Sequence, residues 1–240
     1  MIEFDNVFKS YQDSSYVLEN LSLSIMPGEL FGFLGPNGAG KTTTLRMLTG
    51  IAKPDQGEIR INGWNIATHP LQAKKQFGFV PDNHDLFLRV KGMLYLNFMA
   101  DIYEVSGPER KKIIHDLAER FEMTDHLNQQ IRSYSHGMKQ KISIIGALLH
   151  SPKVLILDEP MTGLDPKATY ELKKMMQEHT AQGNSVLFST HVLEVAENLC
   201  DKVAVLNKGR MLFSGTVDEM RETFHSNESL EEMFLEITRS

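Results

Sequence analysis

A short segment near the start of the chain has the residue types and order of a loop that binds phosphate. It fits the pattern G-x-x-x-x-G-K-[ST] with one further threonine after it: Gly35, Pro36, Asn37, Gly38, Ala39, Gly40, Lys41, Thr42 and Thr43. Glycines let backbone N–H groups approach phosphate oxygens without a Cβ in the way. Lys41 is suited to bridge the β- and γ-phosphates, and the Thr42 hydroxyl is suited to ligate Mg²⁺. The segment therefore predicts a nucleoside triphosphate site with Mg²⁺.

Two adjacent carboxylates, Asp158 and Glu159, follow the apolar run 154–157. Such a run is typical of a strand buried on both faces of a parallel sheet, and ligands bind at the carboxyl ends of these strands. Carboxylates are costly there unless they meet a cation or water. We expect Asp158 to lie in the Mg²⁺ shell through water, and Glu159 to orient or deprotonate the attacking water. The alternative is an acidic pair that caps the next helix.

The elements that must position these residues alternate between strand and helix, which is typical of an α/β fold. Strand patterns precede the phosphate loop and the acidic pair, and a helical pattern follows each of them. Helices are predicted at 92–103, 109–122, 139–149, 166–181 and 192–199. We interpret the chain as one domain of 240 residues, with an α/β core (1–81 and 151–216), an inserted helical subdomain (82–150) and a helical tail (217–240).

Charge and hydropathy narrow the classes of partner. The chain has 25 Lys and Arg against 31 Asp and Glu, a net charge of −6, whereas nucleic-acid binding draws on a broad basic face. We therefore expect no nucleic acid among its partners. The longest apolar stretches, near 142–149 and 154–157, fall well short of the ~20 residues that span a bilayer. If the protein acts at a membrane, another chain must supply the spans.

The sequence between the phosphate loop and the acidic pair indicates which class of nucleoside triphosphatase this chain resembles. The sequence Ser133-Tyr134-Ser135-His136-Gly137-Met138-Lys139-Gln140 resembles the signature motif of ABC transporter ATP-binding domains, whose usual form is L-S-G-G-Q. Residues 162–166, with Asp165, resemble the D-loop of that family. His191 after the predicted strand 185–188 resembles its switch histidine. The motifs stand in the order of the family and cover nearly the whole chain.

The resemblance implies a P-loop NTPase with a RecA-like α/β core, an antiparallel β-subdomain and an inserted α-helical subdomain. It also implies roles for single residues. Ser135, His136, Gly137 and Asp165 would contact nucleotide, the first three across a head-to-tail dimer. Catalysis would involve Glu159 and His191, which could hydrogen-bond the γ-phosphate. Adenine would stack on Tyr11, although Tyr16 could serve instead. Asp82 stands where the family has a glutamine, and a carboxylate there could hold a metal-bound water.

The implied function is that of an ATPase subunit that uses ATP and Mg²⁺ to drive a separate integral membrane permease. The subunit would form a head-to-tail homodimer or pseudo-homodimer on ATP binding and sit at the cytoplasmic face of the membrane. The variant signature, with Tyr134, His136 and Met138 in place of the usual residues, is similar to the ABC-2 exporter branch, which includes antibiotic-peptide and lantibiotic exporters. Two alternatives stay open: the ATPase subunit of an importer, and an ABC ATPase that acts without a transporter.

Overall fold

One sheet of the fold is antiparallel and four-stranded. The structure is a computed structural model that describes residues 1–11, 16–83, 87–223 and 230–238. The strands of this sheet are β1 (Ile2–Ser10), β2 (Tyr16–Ile25), β4 (Gln56–Ile61) and β5 (Trp64–Asn65). Their order is β2-β1-β4-β5, and every neighbouring pair is antiparallel.

The second sheet has six strands and carries the residues of interest. The strands are β3 (Leu30–Leu34), β6 (Phe77–Val80), β7 (Val154–Asp158), β8 (Ser185–Thr190), β9 (Lys202–Asn207) and β10 (Arg210–Gly215). Their order is β10-β9-β3-β8-β7-β6, and all pairs are parallel except β9 with β10. The strands β3, β8 and β7 are therefore neighbours whose carboxyl ends lie at one edge of the sheet.

Helices connect and cover the strands. They are α1 (Lys41–Leu48), α2 (Pro70–Lys74), α3 (Gly92–Ile102), α4 (Gly107–Arg120), α5 (His136–Leu148), α6 (Pro166–Ala181), α7 (Leu193–Leu199), α8 (Val217–Thr223) and α9 (Leu230–Thr238). Single 3₁₀ turns occur at Thr124–His126 and Ile131–Ser133. No helix in the described ranges is long and apolar enough to cross a membrane.

The burial of each strand follows its sequence pattern. In β2 the side chains of Leu21, Leu23 and Ile25 are buried, whereas Ser22 and Ser24 between them are exposed. This alternation is that of a sheet with one covered face. All five residues of β7 are buried, because a strand inside a parallel sheet is covered on both faces. One apolar cluster lies between the two sheets, and another joins α3, α4 and α5 to α6 and the second sheet.

The predicted elements are present, with shifted boundaries. The helices predicted at 109–122 and 139–149 begin earlier, at Gly107 and His136. The earlier start of α5 places the signature-like residues at a helix N-terminus. The strand predicted at 154–157 continues to Asp158, so this carboxylate is still held by the sheet. The short elements α2 and β5 were not predicted. Residues 12–15, 84–86, 224–229 and 239–240, which include parts of the predicted subdomain and tail, lie outside the described residues.

Candidate functional site

The phosphate loop adopts a conformation that its glycines make possible. It joins the buried strand β3 to α1, with Gly38 at φ +82° and Gly40 at φ +108°. These angles lie in the left-handed region, which costs glycine little. A Cβ on Gly40 would also come within 2.8 Å of the Val17 carbonyl oxygen. The loop therefore depends on glycine for its backbone angles and for its packing against β2.

Lys41 lies inside the loop that precedes it. Its side chain is 7% exposed, and its Nζ donates hydrogen bonds to the carbonyl oxygens of Gly35 at 2.5 Å and Pro36 at 3.3 Å. Burial lowers the pKa of Lys41, and the nearby carboxylates of Glu159 and Asp158 act in the opposite direction. The loop therefore holds the ammonium group close to the backbone that would surround a bound anion.

Asp158 is a buried carboxylate at the end of β7, where it is 3% exposed. Its Oδ1 accepts a hydrogen bond of 2.6 Å from the Ser189 hydroxyl of the adjacent strand. Burial raises the pKa of Asp158, while hydrogen bonds from Ser189 and from the Thr42 hydroxyl oppose the rise. The structure therefore brings Asp158 and Thr42 into contact, as a shared magnesium shell requires.

Glu159 begins the loop after β7 with an unusual backbone. Its φ is +48°, a left-handed value that is uncommon for a residue other than glycine and is often found at functional sites. The Glu159 N–H donates to the Ser189 hydroxyl at 3.0 Å. The Glu159 Oε2 lies 2.9 Å from Nδ1 of His191, which follows β8. Ser189 and His191, both at the end of the middle strand, thus fix the backbone and the carboxylate of Glu159.

These groups form one continuous region, which we call the carboxyl edge: the phosphate loop (35–43), Asp158, Glu159, Ser189 and His191. A cavity of about 220 Å³ opens beside it. Its lining consists of Val17, Pro36, Asn37, Gly38, Ala39, Gly40, Lys41, Thr42, Thr43, Asp82 and Glu159. Asp82, two residues after β6, therefore lies with the predicted site residues, and its carboxylate raises the pKa of Asp158 further.

The carboxylates of the cavity do not form a protein-only metal site. No group of three or more His, Cys, Asp or Glu residues in the described part of the chain is placed to hold a metal ion. Mg²⁺ usually takes one or two protein oxygens and completes its shell with phosphate and water oxygens. Thr42 and Asp158 fit such a partial shell.

Neither of the two tyrosines considered for stacking on adenine lines the described wall of the cavity. Tyr11 follows β1, is 48% exposed and has the Lys9 ammonium group 5.2 Å from its ring centre. Tyr16 is equally exposed and packs edge-to-face on Phe8 at 5.5 Å. The residue of this region that does line the cavity is Val17. Stacking of adenine on either tyrosine stays a prediction.

The signature-like residues lie at a second place, the N-terminus of α5, which we call the signature turn (135–138). Ser135 and His136 are exposed, and Gly137 is half-buried. Ser135 caps the helix, since its hydroxyl accepts a hydrogen bond from the Met138 N–H at 3.2 Å. None of these residues is among those lining the described wall of the 220 Å³ cavity. The signature turn therefore contributes nothing to the described wall of that cavity.

Asp165 belongs to neither region directly. It caps α6 through Oδ1, which accepts from the Ala168 N–H at 2.8 Å. Its Oδ2 accepts from the Lys141 ammonium group at 2.8 Å. The pKa of Asp165 is lowered, mainly by the hydrogen bond from Lys141 and also by the one from the Ala168 N–H. Any contact of Asp165 with nucleotide stays a prediction.

Sequence reasoning missed some residues that organise the site. Ser189 follows the apolar stretch of β8 and precedes Thr190-His191. A polar residue at the end of a buried strand needs a partner, and this was the signal in the sequence that could have identified Ser189. Lys141 lies inside a helical pattern, where nothing in the spacing distinguishes it from a surface residue. Gln140 is the last residue of the signature-like sequence, but the resemblance assigned it no role of its own. Val17 has no sequence signal for its place in the cavity.

Comparison with known proteins gives a consistent result. A family profile described as "ABC transporter" matches residues 18–162. The Nod factor export ATP-binding protein I of Paraburkholderia xenovorans is 40% identical over 216 residues, which are 89% of this chain and 70% of that protein.

Two solved structures extend the similarity to the fold. A structure of an ATP-binding subunit of an ABC transporter has a TM-score of 0.94 and 34% identity, and the match covers 99% of each chain. The dimeric structure of a bacterial ABC transporter cassette has a TM-score of 0.81 and 26% identity, and the match covers 90% of this chain and 99% of that one.

Proposed function

The chain belongs to the ABC transporter family of ATP-binding ATPases, and from that premise we propose that it energises a separate membrane permease for export. The observation that carries the proposal is the hydrogen-bonded series Asp158–Ser189–Glu159–His191 beside the phosphate loop. This series fixes the direction of the Glu159 carboxylate beside the phosphate loop, which supports a role for Glu159 in activating the water that would attack the terminal phosphate of ATP. Export as the direction of transport is supported by the similarity to the Nod factor export ATP-binding protein I.

The residues of the carboxyl edge divide the chemistry between them. The N–H groups of the loop and the Lys41 ammonium group would hold the phosphates. Thr42 and Asp158 would hold Mg²⁺, which when bound neutralises charge on the phosphate oxygens. Glu159 would orient the attacking water and accept its proton. His191 would hold the Glu159 carboxylate in the required orientation through the 2.9 Å contact of Nδ1 with Oε2. Asp82 lines the same cavity and could hold a water in the metal shell.

The exposed signature turn, which does not contribute to the described wall of the chain's own cavity, supports a two-subunit site. A helix N-terminus with exposed N–H groups is suited to bind an anion. We propose that it completes the ATP site of a second copy in a head-to-tail homodimer. ATP would then favour the closed dimer because its terminal phosphate contacts both subunits, and hydrolysis would remove those contacts.

A separate apolar cleft supports a site for the permease. It has a volume of about 440 Å³, and its lining is mostly apolar: Ile51, Phe79, Pro81, Asn83, Phe87, Tyr95, Met99, Ile131, Ile142 and Ser143. Phe87 packs against Tyr95 at 5.3 Å and against Phe98 at 5.7 Å, and both phenylalanines remain more than two-fifths exposed. Exposed apolar surface of this kind marks an interaction site. Pro81 and Asn83, the two neighbours of Asp82 in the sequence, line this cleft, whereas Asp82 lines the cavity beside the phosphate loop. A permease segment docked in the cleft could therefore influence the ATP site.

The test compares wild type with Glu159→Gln in Mg²⁺-dependent ATP turnover, while light scattering follows the oligomeric state. We expect the variant to bind ATP, to dimerise and to lose about a thousandfold in turnover, within the usual range for a general base. Glu194→Gln, an exposed glutamate on α7, is the matched control and should behave as wild type. Equal turnover by Glu159→Gln and wild type would refute the role of Glu159. Failure of Glu159→Gln to dimerise while it binds ATP would refute the two-subunit site.

A further inference from the structure

Helix α5 holds the loop that follows Glu159, which we call the connecting loop (160–165). Gln140 is 1% exposed, and its Nε2 donates a hydrogen bond of 2.8 Å to the carbonyl oxygen of Pro160. Lys141 is 8% exposed, and its Nζ donates to Asp165 Oδ2 at 2.8 Å. Two consecutive side chains of α5 therefore fix the first and the last residue of the connecting loop.

The middle of the connecting loop is also held against α5. A Cβ added to Gly137 would lie 2.6 Å from the Gly163 carbonyl oxygen. A Cβ added to Gly163, whose φ is +77°, would overlap the imidazole ring of His136. The signature turn and the connecting loop thus pack closely enough that both positions require glycine. The loop has little room to move unless α5 moves with it.

Fixing this loop bears directly on Glu159, which is bonded to Pro160. A left-handed φ at a residue other than glycine persists only where the surrounding structure determines it. Ser189 fixes the N–H side of Glu159. Gln140 fixes the carbonyl of the residue that follows it. The backbone of Glu159 is therefore held from both directions, once from the sheet and once from α5.

We infer that Gln140 and Lys141 are positioning residues that hold Glu159 of their own chain, while Ser135 at the start of the same helix serves the nucleotide of the partner. The inference rests on the proposed function, since it needs the two-subunit site. It assigns α5 two targets: the partner's ATP through its N-terminal turn, and its own carboxylate through its second turn. A displacement of α5 would then affect both ATP sites of the dimer together.

The test places the same two substitutions on one chain or on different chains of a mixed dimer. Differently tagged copies are combined with ATP, captured through both tags, and followed for hydrolysis in a single turnover. Glu159→Gln disables the site of the chain that carries it, so each dimer keeps one competent site. With Lys141→Met on the other chain, the competent site has the altered Lys141 in its own chain. With both substitutions on one chain, the competent site keeps its own Lys141 and receives the altered α5 from its partner.

The expected result is a fall in the single-turnover rate of about tenfold to a hundredfold in the first arrangement only, as for a displaced catalytic group. Apparent affinity for ATP should stay unchanged, and Lys141→Arg should restore the rate. A loss only in the second arrangement would mean that Lys141 acts on the partner's nucleotide, and equal rates or equal losses in both arrangements would mean no positioning role. Each of these results overturns the inference.

Two controls keep the test decisive. The mixed dimer of wild type with Glu159→Gln must hydrolyse its one competent ATP; if it does not, the proposed function fails and not this inference. Lys174→Met removes an exposed lysine that lies 4.0 Å from Glu178 on α6, and it should leave the rate unchanged in both arrangements. If thermal unfolding shows that Lys141→Met does not fold, Lys141→Ala, which also removes the donor to Asp165, takes its place with the same expected results.

Discussion

The carboxyl edge and the signature turn both present the start of a helix, yet they differ in burial and in the number of side chains that converge on them. At the carboxyl edge, Lys41, Asp158 and Ser189 are at most 7% exposed, and their hydrogen bonds run to one another or to neighbouring backbone. At the signature turn, Ser135 and His136 are exposed. Three strands build the first region, whereas one helix presents the second.

The difference suggests where the chemistry of the protein is completed. A buried set of polar groups must be satisfied within the chain, because each unsatisfied group would cost about 1–3 kcal/mol. An exposed helix N-terminus carries no such cost, since water satisfies it until an anion arrives. We therefore expect substitutions at the carboxyl edge to affect catalysis within the same chain, and substitutions at the signature turn to affect association and the site of the partner.

Among the further substitutions that test this comparison, the largest expected effect comes from Lys41→Met. It removes the cation that we expect to contact the phosphates of ATP, and loss of one preorganised electrostatic contact typically costs a hundredfold to a thousandfold in rate. We expect kcat/KM for ATP to fall by about that factor in steady-state assays. Lys53→Met, an exposed lysine on the loop after α1, should have no effect. A variant at Lys41 with normal kcat/KM would show that the phosphate loop is not where ATP is cleaved.

A smaller effect is expected from Ser189→Ala. The substitution removes the hydroxyl that donates to Asp158 and accepts from the Glu159 N–H, so kcat should fall by about tenfold while the KM for ATP changes little. Chemical unfolding should show a loss of about 1–3 kcal/mol from the buried groups left without a partner. Ser189→Thr, which keeps the hydroxyl, should retain more activity than Ser189→Ala.

The matched control for this variant lies on the same strand. Ser185 is also buried, and its hydroxyl donates to the Met26 carbonyl oxygen at the other end of β8. Ser185→Ala should therefore lower stability by a similar amount and leave kcat unchanged. If the two variants lose activity in parallel, the effect at Ser189 is one of stability, and the carboxyl edge has no special need for that hydroxyl.

The same contrast explains which parts of the molecule could be predicted from the sequence. The phosphate loop and the Asp158-Glu159 pair were predictable because their chemistry restricts residue types at fixed spacing, and the elements around them had clear periods. The start of α5 was predicted three residues late, since His136 and Gly137 are poor helix formers and only the Ser135 cap determines the boundary. Short elements such as α2 and β5 carried too few residues for a period.

Contacts between distant segments were beyond sequence reasoning. Ser189 meets Asp158 from 31 residues away, and Lys141 meets Asp165 from 24 residues away. The strand order that brings β8 between β3 and β7 decides the first contact, and the packing of α5 on the connecting loop decides the second. Neither the strand order nor the packing can be derived from the local pattern of polar and apolar residues.

The smallest expected effect comes from Ser135→Ala, and it tests the comparison most directly. Loss of a helix cap costs about 0.5–2 kcal/mol, and loss of a hydroxyl at an anion site should weaken ATP-driven dimerisation several-fold. Chemical unfolding measures the loss of stability, and sedimentation in the Glu159→Gln background measures the dimerisation. Ser106→Ala is the control, because Ser106 precedes α4 and makes no side-chain capping bond. It should leave dimerisation unchanged.

Mixing Ser135→Ala with Lys41→Met then separates the two regions. In a head-to-tail dimer of these variants, both defects fall on one ATP site, because the phosphate loop of one chain faces the signature turn of the other. The remaining site has an intact Lys41 and an intact Ser135, so the mixture should hydrolyse ATP faster than the mean of the two variants measured separately. A rate equal to that mean would show that Ser135 acts within its own chain. The exposed signature turn would then be a helix cap and nothing more, and the contrast with the carboxyl edge would lose its functional meaning.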